Sequence, residues 1–356
     1  MKNLKRILCL ALTLLMAMSI FCACGGETPE ESSDAEESGS VTVDVLGQDS
    51  TDTDSESEQG EENTENTENT ENTEDGFRAR ILLVTDTHYC HETYLGADMD
   101  YRMDHMVQDI NEEHAKDPVS MILFLGDYSL DHWKWQVGGS WVREQKSYTK
   151  MFLDKYKSQL PDVPMFFLAG NHEQYGEELW REIVGNSRQG TMVMGDYLFI
   201  MWDSYGGELD PNYHHDGVYT PMDVAWVRAQ MDAHPEKAVF LVSHHISIGS
   251  ESDEAKALIA DDRVICLFVG HDHSSKLVRL GAECGYKTVV HCGNYSQKNG
   301  GDKDPGEDMW GFRELILTED RIVTEYIVPA NYYSYGGKTY TVKYHKQNTF
   351  TASVKQ

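Results

Sequence analysis

Five short apolar runs in the chain each end directly in side chains that can bind a metal ion, and this pattern constrains the fold more than any other feature. Each run is rich in Val, Ile, Leu and Phe, as is typical of a buried strand. The stretches between the runs favour helices and long loops. The runs are Ala79–Val84 before Asp86-Thr87-His88, Val119–Leu125 before Gly126-Asp127, Val163–Ala169 before Gly170-Asn171-His172-Glu173, Val239–Ser243 before His244-His245, and Val264–Val269 before Gly270-His271-Asp272-His273.

Alternating strands and helices predict an α/β fold in which the strand ends meet at one edge of a sheet, where proteins of this class place their sites. The Asp, Asn and His residues that follow the five runs are therefore expected to converge. Carboxylate, amide and imidazole groups together suit Zn, Mn or Fe better than Ca or Cu. The sequence thus predicts a centre that binds Zn, Mn or Fe.

The order of these blocks resembles the calcineurin-like metallophosphoesterase family. That family's pattern is D-x-H, G-D, G-N-H-D/E, a lone H and then G-H-x-H, and the chain carries these blocks in that order within residues 77–330. Five blocks in sequence are a far more specific signal than any one of them. The resemblance implies a metallophosphoesterase domain over residues 77–330, folded as a four-layer αββα sandwich of two mixed β-sheets.

The resemblance also implies two metal ions and a role for each site residue. A hydroxide shared between the ions would attack the phosphorus of a small phosphate-ester substrate. His172 would stabilise or protonate the leaving oxygen, and Glu173 would orient it through the other ring nitrogen. Of the adjacent pair His244 and His245, only the first is expected to bind metal, because strand neighbours point in opposite directions. The implied ligands are Asp127 as the bridge, Asp86, His88 and His273 on one ion, and Asn171, His244 and His271 on the other.

The expected activity is two-metal hydrolysis of phosphate esters, with the choice between monoesters and diesters open. A short local similarity of residues 126–133 and 164–173 to acid sphingomyelinase-like phosphodiesterases makes a diester the alternative substrate. A non-catalytic metal-binding module on the same fold is a second alternative, against which the presence of His172 argues. An adhesin or solute-binding lipoprotein is a third, and it would need no such set of ligands.

The first 24 residues have the features of a signal peptide. Lys2, Lys5 and Arg6 precede the apolar stretch Ile7–Phe21, which is too short for a confident membrane-spanning helix. The junction Cys22-Ala23-Cys24-Gly25-Gly26 resembles a bacterial lipobox with Cys24 as the lipidated residue. We expect an extracytoplasmic lipoprotein held at the cell membrane through a lipid on Cys24, with plain secretion as the alternative.

Residues 25–76 are predicted to form a disordered acidic tether. They hold nineteen Asp or Glu and no Lys or Arg, and a Glu-Asn-Thr triplet repeats through residues 62–73. Such a composition buries too little apolar area to offset the loss of chain entropy on folding. Residues 77–356 then carry a net charge of −14, and a nucleic-acid-binding face is not expected on them.

Some features outside the motifs lead to further expectations. Cys266 lies inside an apolar run and is predicted to be an inert core residue, whereas the sequence leaves open whether Cys284 and Cys292 pair across a hairpin. Thr220 is predicted to cap a helix whose first residue is Pro221. Residues 331–356 form a C-terminal extension with a possible edge hairpin.

Overall fold

The computed structural model describes residues 41–44, 76–90, 93–94, 97–130, 134–137, 140–143, 147–207, 217–296, 310–329, 332–335, 338–341 and 349–354. The predicted signal peptide, Cys24 and most of the tether lie outside these residues. The helices are α1 (Met99–Lys116), α2 (Tyr148–Tyr156), α3 (Glu177–Val184), α4 (Val224–Ala233) and α5 (Asp253–Ile259), with 3-10 turns at Lys157–Gln159 and Ala282–Cys284.

The strands follow in chain order. They are β1 (Val41–Asp44), β2 (Arg78–Val84), β3 (Thr93–Tyr94), β4 (Ala97–Asp98), β5 (Met121–Phe124), β6 (Lys134–Val137), β7 (Ser140–Arg143), β8 (Met165–Phe167), β9 (Gly190–Met194), β10 (Tyr197–Met201), β11 (Ala238–Ser243), β12 (Val264–Val269), β13 (Ser275–Arg279), β14 (Thr288–Cys292), β15 (Phe312–Thr318), β16 (Arg321–Ile327), β17 (Tyr332–Tyr335), β18 (Lys338–Thr341) and β19 (Phe350–Ser353).

Two mixed sheets organise the fold. The seven-stranded sheet has the order β1-β9-β10-β11-β12-β14-β13, and the six-stranded sheet has the order β19-β16-β15-β2-β5-β8. In the first sheet β10, β11, β12 and β14 run parallel, and in the second β2, β5 and β8 do so. Because parallel strands end at the same edge, the residues that follow the parallel strands of each sheet lie close together.

The two sheets pack face to face, and alternate residues along each strand face opposite sides of its sheet. On β2, Ala79, Ile81 and Leu83 pack in one apolar core with Phe240 of β11 and Phe268 of β12, so this core lies between the sheets. The intervening residues of β2 and β5 pack with apolar residues of α1, α2 and α3 in a second core. A third core joins the outer face of the seven-stranded sheet to α4 and α5. The predicted four-layer αββα sandwich is therefore confirmed.

The structure adds strands in two segments outside the five apolar runs. Val41–Asp44, inside the predicted tether, forms β1 and pairs in parallel with β9. The stretch Val41-Thr42-Val43 consists of β-branched residues within a mostly acidic segment, and such residues favour strands. At the other end, β17 and β18 form a separate two-stranded sheet, while β19 extends the six-stranded sheet by pairing with β16.

The structure also shows the state of the cysteines and a later start for one helix. Cys266, Cys284 and Cys292 are buried free thiols, so Cys284 and Cys292 do not pair. Burial raises the pKa of Cys292 to about 12 and that of Cys266 well above its ordinary value, which keeps both thiols unreactive. The helix predicted to start at Pro221 starts at Val224 instead, because the Asp223 side chain accepts a hydrogen bond from the backbone N–H of Trp226 and caps it.

Among the described helices, none combines the length and the apolar character that a membrane crossing requires.

Candidate metal centre

Several predicted site residues hold a backbone conformation that side chains rarely adopt. The φ angle is 54° at Asp86, 51° at His88, 51° at Asp127, 67° at His271 and 49° at His273. Left-handed conformations cost non-glycine residues about 1–3 kcal/mol each and cluster at functional sites. Elsewhere in the described ranges, the non-glycine residues with a positive φ are Tyr286 and Trp310. The chain thus turns sharply after β2, β5 and β12.

The motif glycines allow these turns to pack against one another. A Cβ on Gly170 would lie 2.1 Å from Asp127 Oδ1, and one on Gly270 would lie 2.1 Å from Thr85 Oγ1. Gly126 has a φ of 94°, and a Cβ there would lie 2.7 Å from Nδ1 of His244. Each glycine therefore marks a close approach to a neighbouring site loop, which only a residue without a side chain permits.

The first group of candidate ligands consists of Asp86, His88 and His273, whose ligand atoms lie within 4.8 Å of one another. Asp86 Oδ1 lies 3.2 Å from Nε2 of His273 and 3.6 Å from Nε2 of His88. Asp86 Oδ2 accepts hydrogen bonds from Thr85 Oγ1 at 2.6 Å and from the backbone N–H of His271 at 2.9 Å. Apart from these two imidazoles, no donor in the described part of the chain reaches Oδ1, although Asp86 is fully buried. A metal ion would satisfy this oxygen.

The second group consists of Asp127, His244 and His271, again within 4.8 Å, with Asn171 between the two imidazoles. Asn171 Oδ1 lies 3.1 Å from Nε2 of His244 and 3.0 Å from Nδ1 of His271. Nδ1 of His244 lies 2.7 Å from the carbonyl oxygen of Leu125 and donates to it. The lone pair on Nε2 therefore faces two acceptor oxygens, those of Asn171 and Asp127, and only a proton or a metal ion can relieve that arrangement.

Asp127 connects the two groups. Its Oδ2 lies 3.2 Å from Nε2 of His244 in the second group and 3.8 Å from Nε2 of His88 in the first. Its Oδ1 accepts the backbone N–H of His172 at 3.0 Å, which fixes the carboxylate in place. One carboxylate oxygen thus points between both sets of imidazoles, as a bridging ligand would.

The electrostatics of the site are those of buried carboxylates held ionised by imidazoles. Burial alone would raise the pKa of Asp127, but His244 and His172 lower it, and His273 and His88 lower that of Asp86 in the same way. Burial would likewise lower the pKa of His244, but the charge of Asp127 and the hydrogen bonds raise it to about 9. The carboxylates and the His244 imidazole thus stabilise each other's charged forms.

Glu173 does not orient His172, contrary to the sequence-based expectation. Its Oε2 accepts the backbone N–H groups of Asp127 and Gly170, both at 2.8 Å. Its Oε1 accepts the N–H of Ser129 at 2.9 Å and the Oγ of the same residue at 3.1 Å. The carboxylate therefore joins the loop after β5 to the loop after β8. Burial and the nearby Asp127 raise the pKa of Glu173 to about 8.

The two histidines set apart from the ligand groups occupy different places. His172 is buried, with Nε2 3.8 Å from Asp127 Oδ2 and its ring 5.2 Å from that of His88. It therefore borders both ligand groups without being part of either. His245 also lies outside them, and its ring packs 4.4 Å from that of His271. Burial lowers the pKa of His245 to about 4.

Some contributors to the site carry no signal in the sequence. Thr85 donates to Asp86, and the Leu125 carbonyl sets the orientation of His244. Asp272, between the two histidines of the last block, lies 3.2 Å from Nδ1 of His291 on β14 and accepts a hydrogen bond from Lys276. The sequence does not mark these three groups, because their contacts with the site form only when the turns bring distant residues together.

The fold and the two ligand groups are those of the metallophosphoesterase class, in which metal-dependent hydrolysis of phosphate esters uses a dinuclear site. The model of the calcineurin-like phosphoesterase family matches residues 79–275, more than half of the chain, and the protein belongs to this family. A comparison with curated protein sequences gave no match.

Solved structures resemble the chain at low sequence identity. A purple acid phosphatase from yellow lupin (Lupinus luteus) seeds is 12% identical with a TM-score of 0.47, and the match covers 78% of this chain and 54% of that one. The chain thus spans about half the length of the lupin protein. GAP50, described as the anchor in the inner membrane complex of Plasmodium, is 13% identical with a TM-score of 0.45, over 76% and 90% of the two chains. Vps29 complexed with Zn from Entamoeba histolytica is 11% identical with a TM-score of 0.34, over 77% and 98%.

Gly170→Ala should disrupt the centre while Gly176→Ala should not. A Cβ at position 170 would overlap the Asp127 carboxylate, whereas one at position 176 has no atom within 4 Å. We expect Gly170→Ala to lower the free energy of unfolding by about 1–3 kcal/mol, as overpacking does, and to lower bound metal per chain. Metal analysis and denaturant unfolding of both variants provide the measurement. Equal metal content in the two variants would contradict the packing argument.

Proposed function

We propose that the protein hydrolyses phosphate esters with two metal ions, outside the cytoplasm. The observation that carries the proposal is the position of Asp127 Oδ2, which lies between His88 of one ligand group and His244 of the other. A carboxylate oxygen shared by two sets of imidazoles is what a two-metal centre requires. Such ions clamp the entering and leaving oxygens of an in-line displacement and supply the nucleophile.

The proposed ligands divide as the geometry groups them. Asn171 suits its place because an amide oxygen binds a cation without adding negative charge. With only two carboxylates among the ligands, the loaded centre stays positive and attracts an anionic substrate. The proposed metals are Zn, Mn or Fe, and metal analysis of the purified protein would identify which of them is bound. The proposed set is Asp86, His88 and His273 on one ion, Asn171, His244 and His271 on the other, and Asp127 on both.

His172 is the proposed general acid. Its backbone N–H is held by Asp127 Oδ1, and its ring stands at the border of the two ligand groups. A proton on its ring can pass to the oxygen of the departing alcohol, which would otherwise leave as a basic alkoxide. The presence of His172 at this border is also what favours an enzyme over a non-catalytic metal-binding module on the same fold.

Asp127→Ala should remove at least one metal ion and abolish hydrolysis, because the proposed bridge holds both ions. Metal analysis of the full chain should give about two ions per wild-type molecule. Turnover of p-nitrophenyl phosphate and of bis(p-nitrophenyl) phosphate then separates monoester from diester activity, including the sphingomyelinase-like alternative. A fully metallated and active Asp127→Ala protein would show that the assignment is wrong. Two bound ions with no turnover of either ester would favour the non-catalytic module.

His172→Ala should retain both metals yet lose rate by about 10²–10⁴-fold, the usual contribution of a general acid. The loss should be smallest for p-nitrophenyl phosphate, whose leaving group needs little protonation, and largest for an alkyl phosphate. Steady-state kinetics on both substrates, with His234→Ala as a control for histidine loss at the end of α4, supply the comparison. Equal losses on both substrates would mean that His172 only binds phosphate, and lost metal would mean that it is a ligand.

We further propose that the protein is a lipoprotein, on the evidence of the signal-like start and the Ala23-Cys24-Gly25 junction. Lipid on Cys24 would hold the chain at the outer face of the cell membrane. Cys24→Ala should then release the protein from membranes into the soluble fraction. Fractionation of cells expressing each form, with mass spectrometry of the amino terminus, gives the result. An unmodified amino terminus in the wild type would favour plain secretion.

A further inference from the structure

We infer that Arg188 and Asp203 form a positioning pair that holds the turn carrying Asn171 and His172. This inference rests on the proposed function for its chemistry, but not for its structural basis. Neither residue belongs to a ligand group or to any of the five motif blocks. Arg188 lies just before β9 and Asp203 just after β10, which are antiparallel neighbours in the seven-stranded sheet.

The ion pair between these two residues is bidentate and buried. Arg188 Nε donates to Asp203 Oδ2 at 2.5 Å, and Arg188 Nη2 donates to Asp203 Oδ1 at 3.1 Å. Arg188 is 4% exposed. The planar guanidinium matches the two carboxylate oxygens, and such paired hydrogen bonds fix orientation as well as distance.

The remaining guanidinium nitrogen of Arg188, Nη1, binds the loop that follows β8 of the six-stranded sheet. Nη1 donates to the carbonyl oxygen of Glu173 at 3.0 Å and to that of Tyr175 at 2.7 Å. These carbonyls lie directly after Asn171 and His172, in the loop that follows β8 of the six-stranded sheet. Four hydrogen bonds thus run from one side chain, two to a carboxylate on its own sheet and two to the backbone of the catalytic turn.

The two ends of this connection are themselves fixed. The backbone N–H of Arg188 donates to Glu177 Oε2 at 3.0 Å, and its guanidinium carbon lies 5.4 Å from the ring centre of Trp180 on α3. Asp203 Oδ1 also accepts the N–H of Tyr205 at 3.0 Å, and the Tyr205 ring lies 5.8 Å from that of His244. The guanidinium therefore links the turn of Asn171 to the segment beside His244.

This link matters because the second ligand group is assembled from both sheets. Asn171 follows β8 of the six-stranded sheet, whereas His244 and His271 follow β11 and β12 of the seven-stranded sheet. The Asn171 oxygen contacts both imidazoles, but those contacts join the same atoms that would bind the metal. Arg188 sets the spacing of the ligands without touching the metal, by holding the Asn171 turn at a fixed distance from the other sheet. His172, on the same turn, is placed by the same contacts.

Arg80 offers a matched control. It is 3% exposed, it forms ion pairs with Glu314 and Glu113, and its Nη1 donates to the carbonyl oxygens of Glu113 and Asp117 at 2.7 Å and 2.6 Å. Its hydrogen bonds resemble those of Arg188, but they hold the end of α1 near the start of β2. Lys cannot reproduce either set, because a single ammonium has no planar fork of donors. Arg80→Lys and Arg188→Lys should therefore lose similar stability.

The experiment titrates the metal-free full chain with Co²⁺, followed by absorption, and compares wild type, Arg188→Lys, Arg80→Lys and Asn171→Ala. We expect Arg188→Lys to weaken one of two binding events by about 10–100-fold, the usual effect of losing a residue that supports a ligand. That event should be the one that Asn171→Ala also removes. Arg80→Lys should leave both events at wild-type affinity. Equal effects of the two Arg substitutions on both events would overturn the inference and leave Arg188 a merely structural residue.

Kinetics give a second readout. Arg188→Lys should lower kcat by up to about 100-fold, as small misplacements of catalytic groups do, with a larger loss on an alkyl phosphate than on p-nitrophenyl phosphate because His172 moves. If wild type binds two Co²⁺ ions but hydrolyses nothing, the proposed function fails and the titration alone still decides the inference. If Arg188→Lys does not fold while Arg80→Lys does, Asp203→Asn, which keeps the side-chain volume, decides it by the same titration. Unchanged Co²⁺ affinities in Asp203→Asn would then contradict the inference.

Discussion

The structure depends on two carboxylates, Asp86 and Asp127, that are buried where the two sheets meet. An isolated charge in such a place is costly, so the surrounding chain must supply compensating groups. It does so with imidazoles that face the carboxylates at 3.2–3.8 Å and with backbone N–H groups that hold the remaining oxygens. The sharp turns, the motif glycines and the left-handed residues all serve to bring these donors within reach. A pair of metal ions would complete the same compensation.

Much of the fold was predictable because it rests on local patterns. The five apolar runs became strands, and their alternation fixed which side chains face the second sheet and which face the helices. The ends of β2 and β5 brought Asp86 and Asp127 together as expected, because parallel strands of one sheet share an edge. His244 follows β11 of the other sheet, so a single sheet edge, as the sequence suggested, does not account for the whole site. The helix after Thr220 started three residues later than predicted, since Asp223 offers a better cap for it. The pairing of β1 with β9 joins residues about 150 positions apart, and no local pattern encodes such a contact.

The parts of the site that escaped prediction are those that depend on distant contacts. Glu173 follows His172 directly, so adjacency suggested that it orients the histidine, yet its oxygens bind backbone N–H groups of Asp127, Ser129 and Gly170 instead. Arg188 and Asp203 lie in no motif. They meet because β9 and β10 form a hairpin, and Arg188 also binds carbonyl oxygens in the loop after β8 of the other sheet. Sequence patterns identify ligands well because metal chemistry restricts the residue type. They identify supporting residues poorly because many side chains can support a turn.

The positions of β2 and β1 bear on how a tethered form would be attached. Phe77 precedes the start of β2 and Asp86 follows its far end, but the chain first enters the fold earlier, at Val41 of β1. Val41 pairs with Gly190 of β9, and Gly190 pairs with Met201 at the end of β10. Met201 in turn pairs with Val242 of β11, two residues before His244. The start of β1 therefore lies at the end of the seven-stranded sheet that carries the ligands, whereas Phe77 lies one length of β2 away from Asp86.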